Sequence, residues 1–295
     1  MIIVNRWAPA VLAPLLFGVT RGTVRKRVHT SLYLAMTNLG RKASATGVDH
    51  MVARNFRSLF TDRLHSLVLL LPHWTFRRIV QRSVPPQGAP ALEAALAKGK
   101  GAIVFSCHMG PYALIPAILS TLFYKVTAVD KLSYLVRPTA LAKVEKSNAA
   151  YGEDRLETLP VGDGLLLRKL ERRLHEGRVV FMMGDYRGTP ARGAEPIRFL
   201  GHPVHAGRGL AWLHARTGAP LIPAIFTFEK GKPRLEVGEE VNVEGLRTPR
   251  DITQRIYKTL EQRILKSPER WALWIDYHLM VSHETLNAEK ENNPQ

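Results

Sequence analysis

A single cysteine, Cys107, occurs in 295 residues. This excludes an intrachain disulfide and any zinc site built on a cysteine cluster. Long apolar runs are missing too. No uncharged apolar run reaches 18 residues, so the sequence offers no clear transmembrane helix. Acids are scarce at the start of the chain. Residues 1–99 hold 14 Lys and Arg against Asp49, Asp62 and Glu93, a balance of +11. The remainder holds 28 against 22, a balance of +6, which makes +17 in all. There is no zinc-finger spacing, aromatic–glycine RNA motif or basic recognition helix, so nucleic acid is not the expected partner. An anionic membrane surface or a phosphorylated substrate suits this charge better.

The composition itself, 45% hydrophobic and 23% charged, is that of a globular protein. The most apolar stretch, Trp7–Val19, has thirteen residues without a polar side chain and contains Pro9 and Pro14. Arg21, Arg25, Lys26 and Arg27 follow it. A secretory signal is disfavoured, because the cations follow the apolar core and no small-residue cleavage site stands out. Two readings stay open. One is an interfacial segment whose cations face lipid headgroups on the cytoplasmic side. The other is a core helix followed by a solvated basic loop.

Downstream, Val48, Val52, Phe56, Leu59, Phe60, Leu67 and Leu71 recur every three or four residues, which predicts a helix over 48–71. The turn-rich Ser83–Pro90 closes a helical, basic region over 1–85, for which both readings stay open. An α/β domain over 86–280 follows, and then a polar tail over 281–295. Within the α/β part, strands are predicted at Gly101–Cys107, Lys125–Asp130, Arg178–Met183, Pro220–Phe228 and Leu235–Val243. Helices are predicted at Pro111–Leu122, Leu165–His175 and Arg208–Thr217. Another opens at Thr248–Pro249, where Thr248 is a suitable N-cap and proline fits the first turn. This alternation predicts an α/β fold with a mixed sheet covered by helices.

Chemistry-bearing residues fall at strand ends, where α/β proteins bind ligands. His108 follows the first strand, next to Met109 and Gly110, and is a candidate general base. Asp185 and Arg187 follow the strand at 178–183 and are candidates to share a cleft with it. Cys107 has two readings, an acyl-carrying nucleophile with His108 as its base or a buried strand residue facing away. Side-chain alternation along a strand favours the second.

Five blocks in order resemble the bacterial lipid A biosynthesis acyltransferases, the lauroyl/myristoyl branch of the lysophospholipid acyltransferase superfamily. They are GKGAIVFSCHMGPYALIPAIL (99–119), SYLVRP (133–138), LLLRKLERRLHEGRVVFMMGDYRG (165–188), IRFLGHPVHAGRGLAWLHARTGAPLIPA (197–224) and SPERWALWIDYH (267–278). The resemblance runs from about Thr30 to His278. It implies a glycerolipid acyltransferase-like fold preceded by membrane-associating helices, on the cytoplasmic face of the bacterial inner membrane, peripheral or monotopic. It implies acyl transfer from acyl carrier protein or coenzyme A to a hydroxyl or amine acceptor, with no metal and no cofactor beyond the thioester co-substrate. His108 is then the base, and Arg137, Asp185, Arg187 and Arg208 are substrate-binding candidates. Of these, the three arginines are also candidates to stabilise the oxyanion.

One position departs from the family pattern. The family has Glu or Asp where this chain has Ala113, and no acid follows His108 before Asp130. Asp130, Asp185 and Glu195 are the candidates to replace it in space. The departure opens two alternatives: an acyltransferase of specialised metabolism using an amine or hydroxylamine acceptor, or a catalytically degenerate homologue that binds lipid or membrane.

Overall fold

The computed structural model describes residues 22–40, 44–66, 71, 75, 76, 78, 89–130, 155–161, 164–188, 194, 196–229 and 232–281. Trp7–Val19, the Tyr-Arg-Pro block with Arg137, residues 83–88, Glu195 and the tail beyond Val281 lie outside the described residues. The chain folds as two units. The first is built from Asp62–Gly184 and Gly209–Glu244. The second takes the described residues up to Thr61, then Asp185–Arg208 and the chain from Gly245 onward.

The first unit centres on a six-stranded mixed sheet. Its strands are β1 (Ala102–Ser106), β2 (Val126–Asp130), β3 (Leu156–Pro160), β4 (Val179–Met183), β7 (Leu221–Glu229) and β8 (Lys232–Val237), in the order β3-β2-β4-β1-β7-β8. All neighbours are parallel except β8, which runs antiparallel to β7. All five β1 residues are buried, so both of its faces are covered, as a continuous apolar run requires. Ala102 and Val104 point into a cluster with Leu92 and Ala95 of helix α3 (Pro90–Leu96) and with Ile115, Ile118 and Leu119 of helix α4 (Ile115–Thr121). Helices α5 (Leu166–His175) and α6 (Gly209–Thr217) pack on each other, with α5 also against β4 and α6 against β1.

Two predicted elements differ here. The helix expected over Pro111–Leu122 is a 3-10 turn, Tyr112–Leu114, followed by α4. Pro116 has no N–H and would break a continuous helix there, but the first turn of a new helix accommodates it. The strand expected at Leu235–Val243 ends at Val237. Beyond it Gly238 donates to the Pro223 carbonyl at 2.8 Å, but Pro223 has no donor to return, so the ladder stops.

The second unit contains helices α1 (Thr23–Asn38), most of α2 (Ala45–Ser66) and α7 (Pro249–Ile264). It also has the hairpin β5–β6 (Pro196–Phe199 and His202–His205) and 3-10 turns at Pro268–Arg270, Ala272–Ile275 and Tyr277–Leu279. Helix α2 covers the predicted helix up to Ser66; residues 67–70 lie outside the described residues, and Leu71 stands in a bend. Arg25, Lys26 and Arg27 lie in the first turns of α1 and not in a loop. Arg25 pairs with Asp49 at 2.8 Å and holds that carboxyl below its ordinary range. Among the described residues no helix is long and apolar enough to cross a membrane.

Aromatic rings fill this unit's core. Phe199 meets Tyr257, Trp271 and Tyr277 edge to face, with centroids 5.0, 5.6 and 6.3 Å apart, and Trp271 meets Trp274 at 4.8 Å. All five are fully buried. The hairpin turns through Leu200 (φ 52°) and Gly201 (φ 85°), the left-handed pair that a two-residue hairpin loop demands. Helix α7 grips it from the side: the Gln254 amide donates to the Arg198 carbonyl and accepts from the Arg198 N–H, both at 2.8 Å. Thr248 and Asp251 form the capping box that opens α7.

Candidate active site

The C-terminal ends of β1 and β4 lie side by side. Ser106 is in register with Met183, and the Gly184 N–H donates to the Ser106 carbonyl at 2.7 Å. Cys107 follows β1 and is buried, with its thiol not in a disulfide. His108 comes next, half-buried at the carboxyl edge of the sheet. The chain then turns sharply, with the Met109 N–H bonded to the Cys107 carbonyl at 2.7 Å and the Tyr112 N–H to the Gly110 carbonyl at 2.8 Å. Gly110 has φ +65°, and a Cβ there would lie 2.9 Å from Phe226 Cβ and 2.9 Å from Phe228 Cζ. Only glycine lets the turn sit this close to β7. The Tyr112 ring meets the His108 imidazole edge to face, with centroids 4.7 Å apart.

This arrangement holds an imidazole at a strand end by tight backbone and the contact with the Tyr112 ring. Neutral imidazole can take a proton from an attacking nucleophile near neutral pH. Ala113 stands on the following 3-10 turn and brings only a methyl group there.

Apart from Asp130, at the end of β2 in the first unit, the other candidates fall in the second unit or outside the described residues. Asp185 is fully buried and accepts from Trp271 Nε1 at 2.8 Å. Burial, with the Asp185 charge second, drives the Tyr257 phenol well above its ordinary pKa, and that hydroxyl donates to the Tyr186 carbonyl at 2.8 Å. Arg187 is exposed and reaches the Leu279 carbonyl at 3.4 Å, while its backbone bridges Ala206. Arg208 is exposed and lines a cavity of about 380 Å³ together with Thr248, Arg250 and Asp251. Arg137 and Glu195 lie outside the described residues, and only the backbone of Asp130 is described. Sequence reasoning missed Trp271 as the partner of Asp185 and Arg250 as a neighbour of Arg208. Nothing in the local pattern at either position signals those contacts.

The profile of the bacterial lipid A biosynthesis acyltransferase family matches residues 17–279. The chain belongs to this family. No curated protein matches it. The match spans the β1–His108 turn, the hairpin, α7 and the terminal aromatic turns. It establishes the chain as an acyltransferase of the lipid A type. Ala113 lies inside the matched span.

Proposed function

We propose that this acyltransferase moves an acyl group from an acyl thioester, on acyl carrier protein or coenzyme A, to a hydroxyl or amine acceptor, with His108 as general base. The position of His108 carries the reading: it stands at the carboxyl edge of the sheet, beside the end of β4, in a turn only glycine allows. His108 takes the acceptor's proton as the acceptor oxygen or nitrogen attacks the thioester carbonyl. The tetrahedral oxyanion collapses, the carbon–sulfur bond breaks, and the carrier leaves as the thiol with the proton returned from the imidazolium. Arg137, Arg187 and Arg208 are the cationic candidates for the oxyanion or for an anionic acceptor, and Asp185 braces the segment that bears Arg187. This route calls for no metal and no further cofactor. Buried Cys107 is left out as an acyl carrier.

Ala113 bears on the acceptor. Without a carboxylate five residues after His108, nothing from that position orients the imidazole or stabilises its positive charge. An amine or hydroxylamine is a stronger nucleophile than an alcohol and asks less of its base, which favours such an acceptor in specialised metabolism as the second reading. The basic start of α1 supports work on the cytoplasmic face of the inner membrane. Arg25, Lys26 and Arg27 crowd a helix N-terminus, where the macrodipole disfavours cations, and anionic headgroups would offset that cost.

The test is thiol release and acyl transfer by the purified protein, using acyl carrier protein and coenzyme A thioesters with alcohol and amine acceptors. Transfer to at least one acceptor supports the reading. Transfer to none, together with binding to anionic vesicles, refutes it in favour of a degenerate lipid-binding homologue.

A further inference from the structure

The second unit holds a cavity of about 380 Å³, a size that suits a small ligand. Two guanidinium groups, Arg208 and Arg250, line it. Both are exposed, and neither has an ion pair or side-chain hydrogen bond among the described residues. Several other arginines pair with carboxylates: Arg25 with Asp49, Arg173 with Glu157 and Glu176, Arg216 with Glu171, Arg234 with Glu229. The carboxylate in this cavity, Asp251, is engaged elsewhere. Its Oδ2 accepts from the Thr248 hydroxyl at 2.7 Å and from the Thr248 N–H at 3.3 Å. The Thr248 hydroxyl in turn takes the Asp251 N–H at 3.2 Å. The capping box thus engages the Thr248 N–H, the Thr248 hydroxyl and the Asp251 N–H, and the arginine pair is the charged donor set of the cavity. Ile197 and Pro249 supply apolar wall beside it.

From this we infer that the cavity binds a phosphate group, with Arg208 and Arg250 as its two forks. Two cations against one committed carboxylate leave a net positive site. A phosphate monoester brings about two negative charges and three terminal oxygens near neutral pH, enough for both forks, whereas a carboxylate fills one. The inference deepens the acyl-transfer reading and rests on it for the choice of ligand. Coenzyme A carries phosphate on the donor side, and a phosphorylated acceptor carries it on the other.

The test is equilibrium binding of coenzyme A and of glucose 1-phosphate to the full chain, with glucose as the phosphate-free control. Binding is compared among wild type, Arg208→Gln, Arg250→Gln and the double variant. Each single change is expected to weaken phosphate-dependent binding about tenfold, as the loss of one charge-assisted contact does. Tighter binding of coenzyme A assigns the cavity to the donor, and tighter binding of glucose 1-phosphate assigns it to the acceptor. Phenylglyoxal labelling of the wild type, read by mass spectrometry, gives a second measure: the bound ligand is expected to protect both arginines. Unchanged affinity in the double variant, or labelling that ignores the ligand, overturns the inference. Neither readout needs turnover. Wild type that binds phosphate through these arginines but transfers no acyl group would therefore strike the catalytic reading alone, and wild type that transfers but shows no phosphate-dependent binding would strike this site alone.

Discussion

Replacing Gly110 by alanine tests whether the turn after β1 is built to hold His108. The new Cβ meets two obstacles. The backbone at φ +65° lies in the left-handed region, which costs an alanine about 1–2 kcal/mol. The Cβ also falls 2.9 Å from Phe226 Cβ, an atom fixed in a buried strand, and 2.9 Å from Phe228 Cζ. Overpacking of that kind costs about 1–3 kcal/mol. The ring of Phe228 is half-buried and can yield, but Phe226 Cβ cannot, so the turn itself must move. His108 moves with it, because the 107–109 and 110–112 backbone bonds tie the turn together. A loss of about 2–5 kcal/mol in urea unfolding is expected from the two costs together. A displacement of about 1 Å lowers the transfer rate about a hundredfold in the fraction that stays folded. Gly99 is the internal control. Its φ is +73°, but nothing lies within 4 Å of a methyl group added there, so Gly99→Ala carries the backbone cost alone. If Gly110→Ala matched Gly99→Ala in stability and kept the wild-type rate, the close-packed turn would have no role in holding the imidazole.

Two further outcomes concern the second unit. Trp271→Phe removes the indole donor to Asp185 in a fully buried setting and should cost about 2–4 kcal/mol in urea unfolding. A change below about 0.5 kcal/mol would show that the bond contributes nothing net. Burial, with the Arg27 charge second, holds the His278 imidazole below its ordinary pKa. The unfolded chain therefore binds this proton more readily. Stability from this site is full above the ordinary histidine range and falls as pH drops through it toward the depressed value. Urea midpoints between about pH 7.5 and 5 should show the loss, with a shallower slope in Arg27→Gln. An unchanged slope in that variant would remove Arg27 from the explanation.

Where residues act locally, the sequence told the structure well. Thr248-Pro249-Arg250-Asp251 reads as a helix start because the cap, the proline and the acid all act within one turn. β1, β4 and β7 are legible because strands buried on both faces become continuous apolar runs. The hairpin is hidden: Pro-Ile-Arg-Phe and His-Pro-Val-His are short, and their pairing is held by Gln254 and Glu261 from a distant helix. β3 is also hidden, as five residues with one fully buried side chain. At the site, His108 stands out because it ends a strand. The pairing of Arg208 with Arg250 does not, because it depends on which carboxylates are already engaged, and only packing decides that.

The most direct test of the general-base assignment is the single-turnover acyl-transfer rate of His108→Ala beside wild type, with thermal unfolding confirming that both are folded. The expected result is a fall of about 10²–10⁴, the usual contribution of a positioned base. A rate equal to wild type in the folded variant would contradict the assignment of His108.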